Sequence, residues 1–584
     1  MKKGMVQKLL AVTMTVALIG GCIGCGSTGT DDAAQSSETE TTQEADASSN
    51  EEGETSSDEV DESLSVSNEV ETVDTSYANS AKVKHESLII AIDSDPGNML
   101  PLDQNQSGKD EVCDMVFERL YVIDGFGGDL LPCIASELPV EAGVDETSGD
   151  HMYDITIRDN VYDSEGNHIT ASDVAYSYEW LVTNSTPQNM GKYHSAEAVD
   201  DYTVRFYCDE LDGVSDENSL FAQQWVFSEA AQKAHDFATD PIGTGPYVMK
   251  ELVASSTYAF EARDDYWAEG EDYQINTANV QSVTYKIMGE ASQHANALKT
   301  GEIDFSKSVP ETDRAAFTNG GEYEDQYNVF AYLENMTCYM AANCDSSSVC
   351  NDVNLRKAIY YAIDGNTAAQ ASGNASAEVT YDIFNSKFPE TKESWKTADD
   401  YYGNPSLDKA KEYLEQSNYN GETLVLLASN APSSIQNVAT VAATVLQSIG
   451  INVELSVVDS SICNSTMEDP SAWDLTISFM AADDYGVVNI ARLLSTGSYS
   501  EERGTVNFIH DDKLQELVDL CNSAEGHTDE NVQELHDYII ENAYARGLFA
   551  AKSYNIVSKD VTKLAMTYKY NIKPGNCIFA DNEF

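Results

Sequence analysis

Residues 423–458 read TLVLLASNAPSSIQNVATVAATVLQSIGINVELSVV, and this stretch decides the fold. Thr423–Ala428 is an apolar run of strand length. Asn430 and Pro432 then open a helix in which Ile435, Val438, Val441, Val445 and Ile449 recur at helical spacing. Gly450 stops it where a positive φ is favoured, and Ile451, Val453, Leu455 and Val457 alternate as a strand. Strand, helix and strand with short joints make a βαβ unit, which implies parallel pairing and an α/β lobe.

Outward from this unit, further elements are predicted. Ser87–Ile92 reads as a buried first strand, followed by a loop and a helix over Glu111–Leu120. Asp154–Ile157, Thr203–Tyr207, Val283–Ile287 and Trp473–Phe479 read as strands, and Thr170 as the N-cap of a helix.

Lys2, Lys3 and Lys8 precede the apolar run of residues 9–25, LLAVTMTVALIGGCIGC. A basic head, a short apolar core and small residues before a cysteine describe a secretory signal peptide. Ile19-Gly20-Gly21-Cys22 resembles the lipobox of bacterial lipoproteins, which implies a lipidated Cys22. Cys25 is the alternative, with Cys22 in place of the upstream apolar residue.

Ser27–Ser80 holds 16 acidic residues and no Lys or Arg, so it reads as an extended, disordered tether. Beyond it stand 83 acidic against 30 basic residues. That balance repels nucleic acid and anionic headgroups, and only weakly favours cationic ligands. About 500 residues are too many for one core, so two or three lobes are expected. The nine cysteines after Cys25 show no CxxC pair and read mostly as small core residues, with a Cys344–Cys350 disulfide left open. The nine histidines are scattered, which gives no support to a metal site. No G-x-S-x-G, H-E-x-x-H or P-loop is present, so neither enzyme chemistry nor a cofactor is expected.

Six segments in order resemble the solute-binding proteins of ABC importers, specifically the oligopeptide/dipeptide-binding family (family 5). They are Phe117–Gly125, Ile157–Val174, Gly243-Thr-Gly-Pro-Tyr247, Asp265-Tyr-Trp267, Ala297–Asp304, and Asn343 with Leu355–Asp364. Each also has a plain structural reading: tight turns at the glycines, caps at Asp163 and Asp173, and an ion pair for Arg356. The resemblance implies a two-lobed periplasmic-binding-protein-like α/β fold with a hinge and an extra inserted N-terminal domain.

On that resemblance the chain divides into a signal peptide (1–21), a lipidated tether (22–80) and the first part of lobe I (81–125). An inserted domain (126–238), the second part of lobe I (239–333), lobe II (334–555) and a return to lobe I (556–584) follow.

The resemblance implies a ligand enclosed between the lobes, a peptide bound by strand addition, and a carboxylate on its α-ammonium group. Asp483 is the expected partner, with Asp484 the one-residue alternative. Met480, or Ala481 in the shifted register, stands where the family has tryptophan, and the usual Asp-Pro is missing. Tyr485, Tyr193 and Ser107 occupy segments that resemble ligand-facing ones. The implied function is capture of peptides at the outer face of the bacterial cytoplasmic membrane. A monomer is expected, anchored by lipid and delivering to a permease and ATPase. The alternatives are a non-peptide solute (oligosaccharide, nickel complex or haem) and a sensor without transport.

Overall fold

The computed structural model describes residues 71–72, 78–102, 108–123, 129–185, 190–374, 376–380, 383–397, 402, 404–430, 432–481, 485–494 and 507–584. The signal peptide, Cys22, most of the tether, Ser107, Asp483 and Asp484 lie outside them.

The main sheet contains β1 (His85–Ile92), β2 (Tyr247–Val253), β3 (Thr257–Ala262), β4 (Val280–Ile287), β5 (Phe305–Ser306) and β6 (Tyr327–Ala342). Next come β7 (Thr423–Ser429), helix α1 (Ser433–Ser448), β8 (Asn452–Val458), β9 (Leu475–Ala481) and β10 (Ala545–Ser558). Their spatial order is β2-β3-β4-β1-β5-β10-β6-β9-β7-β8. The sheet thus has a lobe I half (β2-β3-β4-β1-β5) and a lobe II half (β9-β7-β8), with β10 and β6 running through both.

The βαβ unit forms as its sequence dictates. β7 and β8 pair in parallel, Thr423 opposite Asn452 through Ser429 opposite Val458. Ile435, Val438, Ala439, Ala442 and Leu446 of α1 are buried, and Gly450 has φ 96°. β9 begins at Leu475, two residues later than its apolar run suggests, and joins β7 in parallel.

Lobe I closes around Leu88, Ile90, Phe117, Tyr247, Phe260 and Val283, together with Val557, Val561 and Phe579 of the C-terminal return. Lobe II closes around Leu424, Leu426, Val438, Leu475 and Ile477 on one face. On the other face lie Tyr339, Phe384, Ile490, Leu514 and Leu535. Residues 120–226 enclose a separate core of Ile155, Tyr178, Val204, Phe206 and Phe221, over a four-stranded antiparallel sheet. Its helix Ala171–Asn184 begins with the expected Thr170, in a reciprocal capping box with Asp173.

Two expectations need correction, and one question left open is answered. The helix over Glu111–Leu120 stops after Lys109–Cys113. The carbonyls of Met115 and Val116 accept instead from the N–H groups of Tyr247 (3.2 Å) and Gly245 (2.8 Å), so tertiary pairing displaces helical bonding. Arg356 makes no ion pair among the described residues; it donates to the carbonyls of Cys350, Asn351, Asn542 and Ala543, tying two chain segments together. Cys344 and Cys350 are separate buried thiols, as are the other seven described cysteines.

Gly243 and Gly245 are glycines because the backbone of Val116 lies against them: a Cβ on Gly243 would stand 2.2 Å from the Val116 oxygen. Gly243→Ala is therefore expected to lower unfolding free energy by roughly 1–3 kcal/mol through overpacking. Gly450→Ala meets open space and loses only about 1 kcal/mol through its positive φ. Urea unfolding of both variants checks the ranking.

Candidate functional site

β6 and β10 are the two strands by which the chain passes from lobe I to lobe II and back. They pair antiparallel from Tyr327–Ser558 to Leu333–Lys552, then resume at Thr337–Ala550. In between, Glu334, Asn335 and Met336 face the single residue Ala551, an enlarged bulge that breaks the ladder where the lobes meet. A cavity of about 430 Å³ opens there. From lobe I it is lined by Lys307 and Tyr570, from the crossing strands by Tyr332, Glu334 and Ser553, and from lobe II by Ala481.

The walls are charged but largely compensated. Lys307 Nζ lies 2.8 Å from Glu111 Oε1 and 3.3 Å from Asn571 Oδ1. Burial pulls the Lys307 ammonium down, yet the Glu111 contact outweighs it and leaves its pKa raised. Asp93, also on the wall, accepts from Ser308 Oγ at 2.5 Å. Glu334 accepts from the Ser553 hydroxyl across the crossing strands.

An aromatic stack on the lobe I side of the cleft meets a lysine from lobe II. The rings of Tyr332 and Tyr570 lie 4.3 Å apart at 18°, and Lys387 Nζ stands 3.8 Å from the Tyr570 centroid. Lys387 comes from a lobe II segment whose Phe384 and Phe388 enter that lobe's core. Asn385, two residues earlier, donates to the Glu334 carbonyl and the Thr337 hydroxyl on the hinge strand. Burial lowers the Lys387 ammonium to about 7.

Of the described residues singled out in the sequence, the structure brings only Ala481 onto this wall. Met480 points into the lobe II core beside Tyr339 and Phe384. Tyr485 packs against the same core, 4.8 Å from the His527 ring. Tyr193 lies in the inserted domain's aromatic core with Tyr178 and Phe206, and does not line the cavity. Tyr332, Glu334, Lys387, Ser553 and Tyr570 were missed, since none stands in a motif and only the tertiary fold brings them together.

The motifs instead grip one another. Glu118 accepts from Tyr266 (2.6 Å) and Trp267 (2.8 Å). Arg263 gathers the carbonyls of Gly243, Thr244, Gly245 and Asp163. Asp163 closes its own turn on Glu165 and Asn167, and Asp304 accepts from Ile89 N–H at 2.8 Å. No group of His, Cys, Asp and Glu among the described residues is arranged to hold a metal ion.

The chain is similar to known proteins in sequence and in fold. The family model described as bacterial extracellular solute-binding proteins, family 5 Middle, matches residues 131–499. The oligopeptide-binding protein AppA of Bacillus subtilis is 25% identical over 399 residues, covering 62% of this chain and 70% of AppA. The solved structure of AppA from Bacillus subtilis in complex with a nonapeptide superposes with TM-score 0.62 at 18% identity, over 85% of this chain and all of that one. NikA from Brucella suis in complex with Fe(III)-EDTA superposes with TM-score 0.68 at 18% identity, over 84% of this chain and 99% of NikA.

Burial holds the Glu334 carboxyl above its ordinary value of 4.5, although the Ser553 hydrogen bond and Lys307 pull it down. The folded state thus keeps this proton more tightly than the unfolded chain. Its contribution to stability is complete below pH 4.5 and is lost as pH rises through the folded value. Glu334→Gln is expected to melt higher than wild type at pH 7, with the gain shrinking toward pH 4. Calorimetric melts at the two pH values check this; an equal difference at both contradicts it.

Proposed function

This chain belongs to the bacterial extracellular solute-binding proteins of family 5, and on that premise we propose that it captures peptides in the interlobe cleft for an ABC permease. The observation that carries the reading is the cleft wall itself. Between Leu333 and Thr337 the two crossing strands leave their mutual ladder, although Met336 pairs with Ala481 of β9, and Glu334, Asn335 and Met336 line a cavity of about 430 Å³. Exposed strand backbone recognises a peptide main chain while tolerating varied side chains.

Asp483 is the proposed partner of the peptide's α-ammonium group. It follows by two residues Ala481, which ends β9 on the cleft wall, and precedes the helix Gly486–Leu494. Asp484 is the adjacent alternative. Exclusion of water strengthens such a charge-assisted contact. The protein is further proposed to be monomeric and held at the outer face of the membrane by lipid on Cys22. No helix of the described residues is long and apolar enough to cross a membrane.

A second reading, a planar or sugar-like solute in the same cleft, is favoured by the stacked Tyr332–Tyr570 pair and by the missing tryptophan. Native mass spectrometry of gently purified protein, followed by denaturation, separates the two. A ladder of short peptides supports the first reading; a single sugar or metal chelate overturns it and keeps the fold.

Asp483→Asn is expected to weaken peptide affinity by about 2–5 kcal/mol, with an unchanged melting temperature. Unaltered affinity by titration calorimetry removes Asp483 from the role. Cys22→Ala is expected to shift the protein out of the membrane fraction or block its processing. If only Cys25→Ala does so, the lipid is on Cys25.

A further inference from the structure

One contact between the inserted domain and lobe II involves neither crossing strand. Gly213 forms an isolated antiparallel bridge with Ser523. Val214 N–H donates to the Asn522 carbonyl at 2.9 Å, and Ala524 N–H donates to the Asp212 carbonyl at 2.7 Å. Between these bonds the Val214 side chain packs against the lobe II core of Leu514, Leu517, Cys521 and Leu535.

The inserted domain builds this loop without help from lobe II. Asp216 accepts from the N–H groups of Asp212 (3.0 Å) and Gly213 (2.7 Å), and its carboxylate pairs with Lys192. Lys192 in turn donates to the Glu210 carbonyl at 2.7 Å. A loop ordered by its own hydrogen bonds loses little entropy when it docks.

The chemistry of the contact also suits its setting. The chain carries a formal net charge of −66, so drawing its lobes together works against like-charge repulsion. The docking groups are two backbone hydrogen bonds and one valine, none of which that repulsion weakens.

We propose that Asp212–Val214 is a clasp by which the inserted domain holds lobe II closed over the cleft. The hinge then sets the path of closure and the clasp sets how long closure lasts. Val214 is a positioning residue: it acts on the ligand only through the lobes.

Small-angle X-ray scattering of the full-length chain without added ligand tests the clasp separately from any assignment of solute. Val214→Asp puts a charge into the apolar seat, and Ala524→Pro removes one of the two N–H donors. Both are expected to increase the radius of gyration while retaining the wild-type circular dichroism spectrum. Val214→Ile is expected to keep the wild-type value. If Val214→Asp disturbs the fold, Ala524→Pro decides alone. Folded variants with the wild-type radius of gyration overturn the proposal.

Discussion

Between Leu333–Lys552 and Thr337–Ala550 the two crossing strands fall out of step, and three residues face one. The way the two halves of the main sheet meet depends on that mismatch. Continuous pairing would give one stiff ribbon through both lobes, whereas the mismatch lets each half of the sheet keep its register on its own core. Val329 and Ile556 anchor the strands in lobe I, and Cys338, Met340, Leu548 and Phe549 anchor them in lobe II. Register is thus set separately on either side of Glu334–Met336 and Ala551, with a smaller shift between Cys338 and Tyr339 inside lobe II, and a break of this kind is where a hinge can absorb closure through a few residues. Glu334, Asn335 and Met336 also line the cavity, so the register break and the candidate site coincide.

The fold was legible because its signals are local. Helical spacing in 435–449, alternation in 451–457 and a glycine at 450 specify the βαβ unit before any long-range contact forms. The six motifs were legible as a pattern, and the structure explains their spacing. Gly243 and Gly245 lie under Val116, Glu118 receives Tyr266 and Trp267, and Arg263 ties the glycine turn to Asp163. They are assembly contacts of lobe I and the inserted domain, far apart in sequence but mutually bonded. The helix over Glu111–Leu120 was misread for the same reason: its carbonyls serve the glycine turn, a partner more than a hundred residues away.

The cleft was much less legible. Tyr332 and Tyr570 are separated by most of lobe II in sequence, and nothing local in either segment announces that their rings stack. Lys387 reaches Tyr570 because Asn385 fastens its segment to the hinge strand, a contact without sequence periodicity. The overall excess of acid does not describe this wall, where Lys307, Lys569 and the nearby Lys387 stand beside Asp93 and Glu334. Local composition at a site is set by the fold and need not follow the average of the surface.

The most direct test of the central claim, that solute is held between the lobes over the hinge, is amide hydrogen exchange of the full chain with and without a bound peptide mixture. The account predicts slowed exchange in 332–336, 551–553 and 569–571 together, drawn from both crossing strands and the C-terminal return. Protection confined to the outer surface of either lobe, with these three segments unchanged, would contradict it.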